Sequence, residues 1–236
     1  MIDRIDLWVF IAGTAADALL LARVLQLRLP RTYLYITLAC IIGLFFDAVQ
    51  LWFGIRSEET QRIFLYSRFL YAFLYPLAAW DVIEEMKGPV LQLRRVLAGR
   101  LVTGLLLTAA FGFILSLFLT SDNDQPFMST ALALVLWAGA SSSTLGFLWS
   151  MQRGVKAQQL VRPHNTFVWM TFYQLILLGE VVSCLGGALA TLANATVETL
   201  VEIVINLFVL GVTIWCIASL KRVSTDVQTE LSTGAS

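Results

Sequence analysis

Residues 33–54 read YLYITLACIIGLFFDAVQLWFG. This run holds one acidic side chain, Asp47, and no basic one. Wound as a helix at 1.5 Å per residue it is roughly 33 Å long, which matches the roughly 30 Å hydrocarbon thickness of a bilayer. It is apolar all round rather than along one stripe, so it predicts a membrane span and not the surface helix of a soluble domain. Its one carboxyl is the exception that needs a physical account.

Six more runs of the same kind lie on either side, and the seven candidate spans are 7–28, 33–54, 63–86, 97–120, 128–151, 166–190 and 197–219. The breaks between them carry the chemistry of chain reversal. Leu29-Pro30-Arg31 ends the first span, residues 54–62 are charged, and Lys87-Gly88-Pro89 stops the third. Residues 121–126 form a polar turn, 153–163 a polar connector, and 193–196 a short turn. Only 14% of residues are charged, against about 25% in soluble domains, and mean hydropathy is +0.78. The expected fold is all-α: one bundle of seven transmembrane helices over residues 1–222, followed by a short disordered tail at 223–236. The first run opens on Asp3, Arg4 and Asp6 and lacks a small-residue cleavage pattern, so it reads as a retained helix.

Basic residues set the orientation. One side carries Arg23, Arg28, Arg31, Lys87, Arg94, Arg95, Arg100, Arg153, Lys156, Arg162, Lys221 and Arg222; the other carries Arg4, Arg56 and Arg62. The heavily basic side is expected to be cytoplasmic, which puts the N-terminus outside and the C-terminus inside. Aromatic side chains such as Trp8, Tyr33, Tyr35, Trp52, Phe53 and Trp169 gather near span ends, as interfacial anchors do.

Polar groups inside the spans are the candidate functional residues, because ionisable groups in hydrocarbon are costly and face a bundle interior or a water-filled cavity. Asp17 and Glu180 sit roughly 15 Å deep, Asp47 roughly 10 Å, and Arg68 and Glu202 roughly 8 Å, with Asn206 one turn deeper than Glu202. Arg68 shares a helix face with Tyr71 and Tyr75, and Pro76 then predicts a kink. The expected set is therefore Asp17, Asp47, Arg68, Tyr71, Tyr75, Glu180, Glu202 and Asn206, a polar layer in the outer half of the bundle. Arg68 is its only cation and is expected to pair with Asp47, at similar depth on the neighbouring helix. The surplus acids are protonated, bind a cation or amine, or are solvated by an outward cavity. Asp81, Glu84 and Glu85 are expected to pair with Arg23 and Arg28 at the inner interface.

A weak internal repeat is visible: Pro30 precedes Asp47 by the spacing at which Pro163 precedes Glu180, and Arg68 and Glu202 each lie five residues into the following span. This suggests a three-plus-one-plus-three order. Several chemistries are excluded. Lys87, Lys156 and Lys221 all lie outside the spans, so none holds a retinal Schiff base. His164 is the only histidine, which removes multi-histidine zinc and bis-histidine haem sites. Ser141-Ser142-Ser143-Thr144 has no histidine partner and, with Gly139 and Gly146, reads as close helix packing. Cys40, Cys184 and Cys216 all fall within apolar runs and read as packing residues rather than a disulfide framework. No cofactor, metal or nucleic-acid motif occurs.

The second-span start Tyr33-Leu34-Tyr35, the aromatic third span (Tyr66, Phe69, Tyr71, Phe73, Tyr75), its acidic end Val82-Ile83-Glu84-Glu85 and the stretch from Leu160 to Glu180 resemble a group of bacterial seven-helix integral membrane proteins without an assigned activity. The resemblance covers about half the chain and implies a seven-helix bundle in the bacterial inner membrane, with no functional residues to carry over. Seven-helix sugar transporters are a poorer match, since Pro-Gln is absent and Pro76 is the only proline within a span. The expectation for function is a non-enzymatic membrane sensor or signalling module, or else a small secondary transporter or channel for a cation, proton or small solute. Its partners would be the bilayer and, at the basic loops 87–100 and 152–163, anionic lipid or a cytoplasmic protein.

Overall fold

A computed structural model describes residues 2–54, 57–86, 88, 90–119, 125–190 and 195–223. Among these, the chain forms seven α-helices and no strand: α1 (Ile2–Gln26), α2 (Leu34–Phe53), α3 (Glu58–Val82), α4 (Leu91–Leu119), α5 (Gln125–Ala157), α6 (His164–Ala190) and α7 (Ala195–Ser219). Short 3-10 turns stand at Leu29–Arg31 and Glu84–Met86. The expected tail, the turns at 121–126 and 193–196 and the Glu202 side chain lie wholly or largely outside the described residues.

Among the described residues, five helices are long and apolar enough to cross a membrane: α1, α2, α4, α5 and α6, over Leu7–Gln26, Leu34–Phe53, Leu91–Ile114, Leu132–Ala157 and His164–Cys184. α3 carries Glu58, Glu59, Arg62, Arg68 and Asp81, and the described apolar part of α7 is Ile203–Ser219. The outward faces are apolar, with Leu38, Phe45, Phe73, Leu106, Phe111, Val204 and Ile214 exposed, as suits a surface that meets lipid tails rather than water.

Six helices close a ring in the order α1, α2, α3, α5, α6, α7, with α3 and α6 also touching across it. α4 lies outside this ring against α5. Small residues let these two backbones approach. A methyl on Gly104 would stand 2.7 Å from the Ser143 hydroxyl, and methyls on Gly139 or Gly154 would collide with Thr108 or Leu93. Gly139 and Ser143 thus pack closely as expected, whereas Gly146 faces open space.

Among the described residues, a packed core stands at the end where the basic loops gather. Val24, Leu29, Tyr33, Ile36, Val82, Ile83, Met86, Met151, Val155, Trp169 and Leu220 are all buried there. The helix ends at this basic end are tied by side chains from other helices. Asp81, at the end of α3, accepts hydrogen bonds from the Tyr35 and Ile36 backbone amides. It therefore caps α2, whose own N-cap residue Tyr33 supplies no side-chain bond. Three successive carbonyls at the end of α7 are also engaged. Ser219 O meets His164 Nε2 at 2.7 Å, Leu220 O accepts from Arg23 at 3.2 Å, and Lys221 O accepts from Asn165 Nδ2 at 2.8 Å. The Lys221 amide returns a bond to Asn165 Oδ1 at 3.0 Å. Tyr33 donates its hydroxyl to Glu85. Arg94 pairs with Glu84 at 3.1 Å while stacking 3.8 Å above the Trp80 ring. The acidic end of α3 is thus met by Arg94, a tyrosine and backbone amides, which corrects the expectation that Arg23 and Arg28 neutralise it.

Candidate functional site

The polar residues expected in one layer divide into two clusters on opposite sides of α3. The first lies where α1, α2 and α7 meet. A cleft of about 160 Å³ is lined by Val9, Phe10, Gly13, Thr14 and Asp17 from α1, Asp47 from α2, and Asn206, Val209, Leu210 and Thr213 from α7. Asp17 and Asp47 face each other closely enough for their charges to oppose one another, and the Thr14 side chain lies within hydrogen-bonding reach of Asp47. The lining runs about two turns along both α1 and α7, towards their N-terminal ends. Val9, Phe10, Val209 and Leu210 give it an apolar wall.

The second cluster joins α3, α5 and α6. Arg68 bonds Glu180 at 3.1 Å, with side chains 15% and 20% exposed. Tyr75 donates its hydroxyl to the other carboxylate oxygen, Oε1, at 2.9 Å, and the Arg68 guanidinium lies 3.8 Å from the Trp137 ring centroid. The Arg68–Asp47 pair expected from sequence is replaced by Arg68–Glu180. The reason is rotation about the helix axis: Arg68 and Tyr75, seven residues apart, share a face of α3 that points to α6. Trp137 was not legible as a member, since its position reads only as an apolar residue of α5.

Tyr71 lies between the two clusters. It stacks on Tyr75 with centroids 5.3 Å apart and planes at 21°, and its hydroxyl approaches α2 at Gly43, where a methyl would stand 3.0 Å away. Asp47, Asp17, Arg68 and Glu180 all act on it electrostatically. A chain of polar and aromatic groups thus crosses the bundle from Asp17 and Asp47 through Tyr71 and Tyr75 to Glu180, Arg68 and Trp137. Of the eight expected residues, Asp17, Asp47 and Asn206 line the cleft, Arg68, Tyr75 and Glu180 form the second cluster, and Tyr71 joins the two. The eighth, Glu202, has a side chain outside the described residues.

Among the described residues no three His, Cys, Asp or Glu side chains converge as metal ligands, and Cys40, Cys184 and Cys216 are free thiols. The chemistry on offer is hydrogen bonding and charge: two carboxylates beside hydroxyl and amide groups, with no basic side chain among the described lining residues. Comparison with protein-family models, with curated proteins and with solved structures returns no match.

Proposed function

We propose that the chain is a seven-pass membrane sensor whose receiving site is the acid-lined cleft between α1, α2 and α7, with the N-terminus outside and the basic end in the cytoplasm. The observation that carries this reading is the acid-lined cleft set beside a closed basic end. Asp17 and Asp47 face each other across a cleft at one level, while the basic end is sealed by a packed core and by side chains that tie off α2 and α7. An acid-lined cleft beside a closed basic end suits detection better than passage. In this topology α3 and α7 also span, α3 neutralising Arg68 against Glu180 within the bundle. Exposed Arg95, Arg100, Arg153, Lys156 and Arg162 at the basic end favour contact with the anionic headgroups of an inner membrane, and stacking of Arg153 on Trp149 and Arg162 on Phe167 fits an interfacial belt.

The test uses a mimic of the occupied site. Asp47→Asn removes the charge opposition in the cleft without changing side-chain size. If the protein senses, this substitution alters amide hydrogen exchange at the basic end, over residues 160–166 and 217–223, in protein reconstituted into bilayers. A change confined to α1, α2 and α7 beside the cleft would remove the sensor reading. The transporter reading is favoured by one observation: α4, which lies between α1–α3 and α5–α7 in the chain, stands outside the ring the other six form, the arrangement expected of two three-helix repeats. Solute or cation flux into proteoliposomes would decide for it.

A further inference from the structure

We infer that one anionic phospholipid of the inner leaflet seats its phosphate in the lipid-facing groove between α4 and α5, held by Arg100 and Arg153. This site is separate from the cleft between α1, α2 and α7. Its place in the inner leaflet rests on the topology proposed above.

The register of the two helices follows from their close approaches. Leu93 lies against Gly154, Gly104 against Ser143, and Thr108 against Gly139. Counting four residues towards the basic end from Gly104 and from Ser143 brings Arg100 level with Phe147, next to Gly146. Arg153 stands one residue before Gly154, and both arginines are exposed. They also share one flank of the α4–α5 seam. On α4, Arg94 reaches Glu84 and the Trp80 ring at the end of α3. Arg100, six residues on, is rotated about 120° from Arg94, with the seam residues Gly104 and Thr108 in the arc between. On α5, Trp137, Leu148 and Met151 are buried in the ring, and Arg153 is rotated about 140–160° from each of them. Both arginines therefore lie on the flank turned away from α3.

Their directions converge. Side chains on a helix tilt towards its N-terminus. α4 begins at the basic end and α5 finishes there, so Arg100 leans towards that end and Arg153 away from it. The Arg153 guanidinium accordingly lies 5.2 Å from the ring of Trp149, one turn back. Gly146 leaves room at the level where the two cations meet, since a methyl there would touch nothing within 4 Å.

The charge of the occupant follows from composition. Neither α4 nor α5 contains an Asp or Glu. Arg100 stands nine residues into α4, roughly 14 Å from its start, where a cation on the lipid side is costly without an anion. A lipid phosphate supplies that anion, with oxygens that a guanidinium grips two at a time. With no acid on either helix, the ammonium of a zwitterionic headgroup gains nothing and meets two cations. Exposed Leu107 and Phe111 continue along the Arg100 face of α4 and offer an apolar track for an acyl chain.

The experiment uses the full chain, delipidated in a neutral detergent, with dioleoyl phosphatidylglycerol or dioleoyl phosphatidylethanolamine added at equal concentration and retention read by native mass spectrometry. One phosphatidylglycerol per chain is expected to be retained, and phosphatidylethanolamine is not. Arg100→Gln and Arg153→Gln should each weaken retention about tenfold, the effect of losing one charge-assisted contact. Gly146→Leu should weaken it as far by filling the groove with both charges in place. Arg162→Gln, at the same end but on the connector to α6, should leave it unchanged. Four results would overturn the assignment: equal retention of the two lipids, an Arg162→Gln effect as large as that of Arg100→Gln, full retention in Gly146→Leu, or displacement of the lipid by inorganic phosphate or by a second copy of the chain. Failure of the topology is separable. Labelling of a cysteine at position 156 from outside intact cells would remove the inner-leaflet placement and leave detergent binding intact, whereas lost binding with that position protected removes the site alone.

Discussion

Arg68 and Glu180 stand 112 residues apart in the chain and 3.1 Å apart in the bundle, with the Trp137 ring 3.8 Å from the guanidinium carbon. Removing Arg68 takes its guanidinium from the part-buried Glu180 carboxylate, a loss of up to about 3–5 kcal/mol. Arg68→Leu should therefore destabilise the protein by that order, and Arg68→Leu with Glu180→Leu should recover part of it. Unfolding measurements arranged as a double-mutant cycle check this. Coupling of Arg68 to Asp47 as large as that to Glu180 would contradict the geometry.

Asp81 caps α2 from another helix, so its substitution should be felt in α2. Asp81→Ala is expected to cost about 1–2 kcal/mol, the range for losing an N-cap acceptor. Asp81→Asn, which keeps an acceptor oxygen, should cost less. Amide exchange at Tyr35 and Ile36 reports the site directly, and unchanged protection there in the alanine variant would refute the cap.

The end of α7 depends on Asn165, which both donates to Lys221 O and accepts from its amide. Asn165→Leu removes both part-buried bonds and should cost about 1–3 kcal/mol, roughly 0.5–1.5 for each. Asn165→Asp retains the acceptor and should fall between. Faster exchange of the Lys221 amide in the leucine variant is the expected signature.

Packing of α4 on α5 offers a paired test. Gly139→Ala places a methyl against Thr108 and should destabilise by about 1–3 kcal/mol. Gly146→Ala on the same helix points into open space and should be neutral or slightly stabilising, because alanine favours the helix. Equal thermal midpoints for the two variants would show that the α4–α5 approach is looser than described.

Orientation is checked by labelling intact cells with a membrane-impermeant thiol reagent, after replacing Cys40, Cys184 and Cys216. A cysteine at position 194 should label and one at position 156 should not, since Lys156 belongs to the basic side. The opposite pattern would invert the topology.

Helix positions were legible because an apolar run of bilayer length has few other uses, and Pro30 and the polar stretches mark where the runs break. That Asp17, Asp47, Arg68 and Glu180 interrupt apolar helices was legible for the same reason. Their partners were not. Depth along a helix follows from counting residues, but the direction a side chain takes around the axis depends on which neighbour the helix meets. Arg68 and Asp47 match in depth and differ in direction. The tie of Asn165 to Lys221 and the cap from Asp81 to α2 were hidden for a related reason: each joins residues about 45 to 55 positions apart through backbone groups that carry no sequence signal.

The long separation of Arg68 from Glu180 also bears on how the protein is made. On the seven-span reading, α3 reaches the insertion machinery with a positive charge and without its carboxylate, which is synthesised 112 residues later. At ~5–20 residues per second that interval is roughly 5 to 20 s. During it α3 has the least reason of the early helices to leave an aqueous or protein-lined channel, whereas α4 is apolar enough to enter lipid alone. Insertion would then proceed out of chain order, with α3 settling only after α6 has arrived. Ribosome-bound chains truncated before Glu180 would be held at that stage, with α1, α2 and α4 in the bilayer and α3 still waiting at its edge.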